Sequence, residues 1–284
     1  MNSSLRTWDG PMIKQFSFVI PQVERTFVMD DHDGRDFVLL QVEQAGLIEY
    51  EKPLPKLLVA YLAGRGGTCI DVGANSGLYT FLMASISSEL RVTAFEPMAE
   101  LYATLSRNLH LNSALSGRIT AVPAAVSNTS GTVKFYETVN DMGYLSTSST
   151  LEILHAEAVG CKYLSSEVPS VTLDQWSAEN PVDDVPAIKI DVEGHEQGVL
   201  QGASAFIRKT RPLIALELLR NVDWTFFASF VRDNNYVNFV LGADCINRRD
   251  ILEFDPGSWN HVLCPLEKIY ELVLAARSAG LEIR

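Results

Sequence analysis

Two short segments of this chain concentrate the residue types that can do chemistry: Asp71-Val-Gly-Ala-Asn-Ser-Gly77 and Ile188-Lys-Ile-Asp-Val-Glu-Gly-His-Glu196. In the first, Gly73 and Gly77 remove Cβ where the chain must turn tightly and where a ligand would approach the backbone. Asp71 brings a carboxylate to the mouth of that turn, a charge that suits an ammonium or sulfonium group and repels a pyrophosphate. A dinucleotide fingerprint would need glycine at the positions held by Asn75 and Leu78, which disfavours nicotinamide and flavin dinucleotides. Glu96, within Ala94-Phe-Glu-Pro97, ends the next strand, where an acidic side chain can accept both ribose hydroxyls.

In the second segment Asp191 and Glu193 are two residues apart, so in extended geometry they project to one face. Gly194 permits a sharp turn, and His195 and Glu196 open the following helix. Three carboxylates and an imidazole within residues 191–196 are costly in a dry core and are expected to border a cleft. Glu217, at the carboxyl end of a later strand, is expected to join them. His195 is the expected general base for a hydroxyl nucleophile, oriented by Glu193 or Glu217. An ammonium or guanidinium acceptor would instead be gripped by the same carboxylates. Asp191 and Glu196 also have a plain structural reading, as acids at a helix N-terminus. No H-x-x-x-H or similar ligand pair is present, so no metal site is expected.

The elements that must position these residues follow from periodicity. Phe16–Ile20 and Phe37–Val42 read as short strands around the acidic turn 30–36, which could steer a cation but reads better as a solvated turn. Glu51–Ala63 has helical spacing. From Thr68 the rhythm becomes strand and helix in alternation: strands at 68–72, 91–96, 187–192 and 213–218, helices at 78–86, 99–111, 197–208 and 222–234. Ile119–Val126 and Gly131–Tyr136 are further β segments. The polar stretch Asn140–Ser149, with Met142, Gly143 and Tyr144, is a candidate lid. Strands at 236–241 and 261–264 and a helix at 267–279 close the chain. Trp224, Phe226, Phe227 and Phe230 are expected to pack their helix onto the sheet. Alternation of this kind implies right-handed crossovers and a doubly wound, mostly parallel sheet, and the late strands suggest an antiparallel edge. Residues 1–50 are expected as a β-containing N-terminal extension, and 51–284 as the main domain.

Composition agrees with a folded rather than a disordered chain. The 284 residues are 47% hydrophobic and 20% charged, enough for a full core. Lys plus Arg is 23 against 35 Asp plus Glu, a formal charge of −12, which argues against nucleic-acid and anionic-membrane partners. Cys69, Cys161, Cys245 and Cys264 form no C-x-x-C pair and are expected as reduced thiols. The first residues lack an apolar signal core, and the expected location is the cytoplasm.

Taken together, Asp71–Gly77, Ala94–Pro97 and Ile188–Glu196 resemble the FkbM-type S-adenosylmethionine-dependent methyltransferases, over about residues 50–265. The resemblance implies a class I methyltransferase fold with a Rossmann-like seven-stranded sheet. It implies S-adenosylmethionine as cofactor and S-adenosylhomocysteine as product. Asp71, Gly73, Ala74, Asn75 and Gly77 would line the methionine end, Glu96 and Pro97 the ribose, and Asn108 and Ala125 the adenine, with Asp191 counted among the cofactor contacts. The implied substrate is a small molecule, with a hydroxyl of a secondary metabolite or sugar as the leading acceptor and a place in natural-product biosynthesis. The alternative is N-methylation of a guanidino or amino group of an arginine-like molecule. Residues 1–45 lie outside the resemblance and are where substrate choice would be particular to this chain.

Overall fold

The computed structural model describes residues 13–20, 23–139, 143–145, 147–158 and 162–284. Its strands are β1 (Ile13–Ile20), β2 (Val23–Asp30), β3 (Gly67–Val72), β4 (Leu90–Phe95), β5 (Ile119–Val122), β6 (Ala125–Val126) and β7 (Gly131–Val139). After them come β8 (Lys162–Val171), β9 (Ala187–Ile190), β10 (Leu213–Glu217), β11 (Tyr236–Gly242), β12 (Cys245–Arg248), β13 (Asn260–Pro265) and β14 (Glu282–Ile283). The first helices are α1 (Phe37–Ala45), α2 (Leu54–Leu62), α3 (Leu78–Ile86) and α4 (Ala99–Leu111). The main sheet has nine strands in the order β14-β12-β11-β13-β10-β9-β3-β4-β5. From β5 through β10 the pairing is parallel, and β13 is antiparallel to both of its neighbours. This is the doubly wound sheet expected, with antiparallel pairing toward one edge and with β12 and β14 added beyond the seven strands.

Strand side chains alternate between two cores, as a sheet covered on both faces requires. Ile70, Val72, Ile188, Ile190, Ile214 and Leu216 pack one face with Val199, Phe206 and Phe227. Cys69, Ala187, Leu213 and Ala215 pack the other with Leu57, Phe81 and Leu272. Asp71 and Lys189, paired in register, take the period of this second face and so sit beneath α2 and α3. The switch in strand order around β3 opens a crevice at the carboxyl ends of β3, β4, β9 and β10, where open α/β sheets bind ligands.

Several expectations are corrected. Residues 37–42 are not a strand. They open α1, because the Asp36 carboxylate accepts from Leu39 N at 3.0 Å and caps the helix, with Leu39 and Val42 buried on one side. The preceding strand is β2, which forms a hairpin with β1 and packs Phe27 against Phe81 (6.1 Å). The acidic turn is not the solvated turn expected: Asp30, Asp31 and Asp36 are buried, Asp30 accepts from His32 N and pairs with Arg107 (3.2 Å), and Asp31 accepts from Gly34 N. The segment 119–126 is split at Pro123 into β5 and β6, and β6 pairs instead with β8 in a separate sheet with β7. The helix expected over 197–208 is two, Glu196–Gln201 and Ser204–Thr210, parted where a Cβ on Gly202 would lie 2.0 Å from Ser127 O. Phe227 and Phe230 are buried as expected. Cys69, Cys245 and Cys264 are free and buried, while Cys161 lies outside the described residues. No helix among the described residues is long and apolar enough to cross a membrane.

Candidate active site

A cavity of about 310 Å³ occupies that crevice, near the lower end of the ~300–1,000 Å³ usual for small-molecule sites. Its wall includes Gly73, Ala74 and Asn75 after β3, Glu96 and Pro97 after β4, and Ala125 on β6. Asp191, Glu193 and His195 enter after β9, and Glu217 from the end of β10. Asp71, Gly77 and Asn108 stand behind this wall, although the sequence placed them against the ligand.

The turn after β3 is shaped by packing as much as by any ligand. A Cβ on Gly73 would stand 1.9 Å from Asp191 O, so this glycine lets the ends of β3 and β9 touch. Gly77 sits at φ 106°, and a Cβ there would meet Leu105 and Phe81 at 2.7 Å. Asn75 adopts φ 54° and donates its backbone N–H to Glu96 Oε2 at 2.8 Å, while Met98 N donates to Glu96 Oε1 at 2.8 Å. Burial pushes the Glu96 carboxyl up to about 7 despite those two bonds. Its free lone pairs face the cavity, where a vicinal diol could donate to them. Asp71 is fully buried; its Oδ2 accepts from Thr80 Oγ1 at 2.6 Å, and its Oδ1 has no hydrogen-bond partner. The Asn108 amide is consumed by Ser76 O (2.9 Å) and Asp30 N (2.8 Å), which ties the hairpin to the turn.

The other end of the cavity is acidic. β9 stops at Ile190, so Asp191 and Glu193 do not share an extended strand face; Glu193 (φ 54°) and Gly194 (φ 98°) form a left-handed turn that still delivers both acids to the cavity. Lys189 Nζ lies 2.9 Å from Asp191 Oδ2 and 4.7 Å from the centre of the Tyr79 ring. The Tyr79 hydroxyl donates to Glu51 Oε2 at 2.8 Å. Burial, then the charge of Asp191, pushes the Glu193 carboxyl up to about 8 and that of Glu217 up to about 9. Burial likewise raises Glu51, with Asp191 adding to it. Glu51, Tyr50, Tyr79 and Lys189 were not singled out from the sequence. Lys189 was legible, being a lysine inside an apolar strand that can be buried only beside acids; Glu51 carried no such mark.

His195 has a different partner from the one expected. Its Nδ1 lies 2.6 Å from Glu152 Oε1 and its Nε2 3.0 Å from Ser127 Oγ, so Glu152, rather than Glu193 or Glu217, orients the ring. The histidine hydrogen bond, more than anything else, holds the Glu152 carboxyl below its ordinary value. Gly198 seats the ring, since a Cβ there would fall 2.2 Å from Nε2. Thr150 Oγ1 donates to Glu193 O at 2.8 Å, so residues 150–152 are pinned to the turn at two points. Glu196 is fully buried and accepts from Gly194 N at 3.1 Å, closing its own turn. Of the candidate lid, residues 140–142 and 146 lie outside the described residues. Tyr144 rests on Phe37 (5.5 Å), Leu145 N donates to Arg35 O (2.9 Å), and Thr147 and Ser149 line the cavity. No group of three His, Cys, Asp or Glu among the described residues is arranged to hold a metal.

The donor set can be tested against the implied cofactor. Among the described lining residues five carboxylates, Glu51, Glu96, Asp191, Glu193 and Glu217, face one lysine and one histidine. Such a cavity offers a polar ligand carboxyl oxygens and gives a dinucleotide's phosphates no cation beyond Lys189 and His195. A sulfonium flanked by a ribose and an amino acid fits this set, with Glu96 for the ribose.

Known proteins similar to this chain are methyltransferases. The family described as "Methyltransferase FkbM domain" matches residues 71–240, a narrower span than the motifs suggested. A curated protein, methyltransferase sdnD of Sordaria araneosa, is 31% identical over 157 residues, 47% of this chain. The chain spans 59% of that relative's length. Among solved structures, methyltransferase FkbM from Methylobacillus flagellatus aligns with a TM-score of 0.48 at 15% identity, covering 72% of this chain and 47% of the other. Precorrin-6y C5,15-methyltransferase from Geobacter metallireducens aligns at 0.42 and 10% identity, covering 78% of this chain and 100% of the other.

Proposed function

Because the chain belongs to the FkbM methyltransferase family, we propose that it methylates a hydroxyl of a small molecule at the expense of S-adenosylmethionine. The cofactor supplies an activated methyl group and its own leaving group. Glu96 accepts from the ribose hydroxyls, Pro97 and Ala125 border the nucleoside, and the Gly73–Asn75 turn flanks the amino-acid end. Asp191, Glu193 and Glu217 surround the acceptor. Their task is to hold its oxygen about 3–3.5 Å from the methyl carbon and to take its proton.

The observation that carries this reading is that Glu96 and the Asp191–Glu193–Glu217 cluster share one cavity. Burial keeps the Glu217 carboxyl protonated up to about 9, so below that pH it can donate a hydrogen bond to the acceptor oxygen and above it can accept the hydroxyl proton. His195, engaged at both ring nitrogens, serves in this scheme as a positioning residue that fixes the 150–152 wall. The test is incubation with methyl-labelled S-adenosylmethionine and a panel of sugars, polyols, hydroxy acids and amines. Label recovered in a base-stable methyl ether is the expected result; intact S-adenosylhomocysteine binding with no transfer to any hydroxyl would overturn it.

A second reading, N-methylation of a guanidino or amino group, is favoured by the excess of carboxylates over cations at the same end of the cavity. Calorimetry with arginine-like compounds in the presence of S-adenosylhomocysteine separates the two, since only this reading requires them to bind.

A further inference from the structure

One corner of the cavity is built from chain outside the family-matched span 71–240. Tyr50 and Glu51 line it there, together with Phe37, Val38 and Gln41 of α1. The turn that carries Glu51 is fastened on both sides: Tyr50 N donates to Gly46 O at 2.9 Å, and Leu54 N to Glu51 O at 3.1 Å. Glu51 itself sits at φ 47°. Seven non-glycine residues have positive φ among the described residues, and Glu51, Asn75 and Glu193 are the three that line the cavity. Left-handed backbone suits asparagine, whose short side chain bonds locally, and is unfavourable for a glutamate. Strain of this kind collects where a side chain must be aimed at a ligand.

The surroundings of the Glu51 carboxyl suit a neutral donor. Tyr79 Oη donates to its Oε2 at 2.8 Å, and the Tyr50 hydroxyl is bonded to the same carboxyl. The nearby Lys189 ammonium is engaged by Asp191 at 2.9 Å and by the Tyr79 ring at 4.7 Å. Burial, then the charge of Asp191, favours the protonated form of Glu51. An alkylammonium in this corner would stand beside Lys189 and would need Glu51 ionised where burial opposes it. A hydroxyl carries neither cost, since it can donate to the carboxyl in either form and accept from the protonated one. Glu51 also faces the acid end: after burial and the charges of Asp191 and Glu193, its own charge is felt at Glu217.

We propose that Glu51 is a specificity-determining residue that binds a second hydroxyl of the acceptor, one that is not methylated. The proposal rests on the methyltransferase reading above and narrows its acceptor to an uncharged molecule with at least two hydroxyls. Asp191, Glu193 and Glu217 surround the reacting oxygen while Glu51 holds a second point, and two points of attachment orient that oxygen better than one. The preference comes from a segment that the matched family domain does not include.

The test uses the full chain saturated with S-adenosylhomocysteine, titrated by ligand-observed NMR with the 1,2-, 1,3- and 1,4-cyclohexanediols, cyclohexanol and the matching aminocyclohexanols. At least one diol should bind about three- to tenfold more tightly than cyclohexanol, the scale of one added hydrogen bond. It should also bind more tightly than the aminocyclohexanol of the same spacing. Glu51→Ala should abolish that margin, and Glu51→Gln, which keeps an accepting oxygen, should retain part of it. S-adenosylhomocysteine affinity should stay within about threefold in both variants, since neither removes a cofactor contact. No diol tighter than cyclohexanol, a margin unchanged in Glu51→Ala, or an aminocyclohexanol bound most tightly would overturn the proposal. Glu51→Leu, of similar bulk, decides in place of Glu51→Ala should the latter not fold. Loss of S-adenosylhomocysteine binding by the unsubstituted protein would instead sink the methyltransferase reading of the cavity.

Discussion

Glu96 and His195 illustrate how little a residue's type says about its task until its partners are known. Glu96 has both oxygens in backbone bonds and still borders the cavity, so it is held rigid for any donor that enters. Glu96→Gln replaces an acceptor oxygen by a donor, and S-adenosylhomocysteine affinity should fall about 10- to 100-fold by calorimetry, the range for losing hydrogen bonds to a charged group. His195 looked like a base from its neighbours in sequence. In the proposed scheme its contacts with Glu152 and Ser127 let it serve as a brace in place of that base. His195→Gln should therefore raise the acceptor KM while leaving kcat within about tenfold and the pH profile unshifted. Loss of a general base would instead cost about 10²–10⁴ in rate and remove a limb of that profile.

At the scale of elements, the point of contact between Gly73 and Asp191 fixes the whole site. Gly73→Ala would drive a methyl group into the Asp191 carbonyl and would also hold alanine at φ 79°. It should lower stability by about 3 kcal/mol or more in denaturant unfolding, combining overpacking with a left-handed backbone. The strand-and-helix rhythm from β3 onward was legible because apolar runs of four to six residues ended in glycine, proline or acid. The α1 segment was not: Phe37-Val-Leu-Leu contains no polar break, and only Asp36 as a cap marks it as helical. β8 was missed because its pattern of Ser, Glu and Pro lacks apolar alternation, and its pairing with β7 supplies the order instead. The cavity's two motifs were legible, since glycine and acid clusters there have few other uses. The Glu51 and Glu152 contributions arise from chain segments that meet the motifs only in three dimensions.

For the molecule as a whole, the buried acids predict how stability follows pH. Glu193 and Glu196 are raised to about 8 and Glu217 to about 9, in each case by burial first. Between the ordinary carboxylate range and those values the folded chain holds protons that the unfolded chain releases. The stability these groups contribute is therefore complete at low pH and is lost as pH rises through about 8–9. His261 acts in the opposite sense: burial lowers it to about 4, so its contribution is present above its ordinary value and is lost as pH falls through about 4. The melting temperature of the ligand-free protein should peak at mildly acidic pH and decline by several degrees toward pH 9, and Glu217→Gln should flatten that decline in a calorimetric pH series.

The central position of β3, between β4 and β9, also bears on biosynthesis. One flank of β3 is satisfied by residues that emerge soon after it, but the other must wait for residues 187–190 to leave the ribosome. Until then the nascent chain presents an apolar ladder with open amides. Stalling translation before that point should yield a species that holdase chaperones retain, and release should follow once β9 has docked.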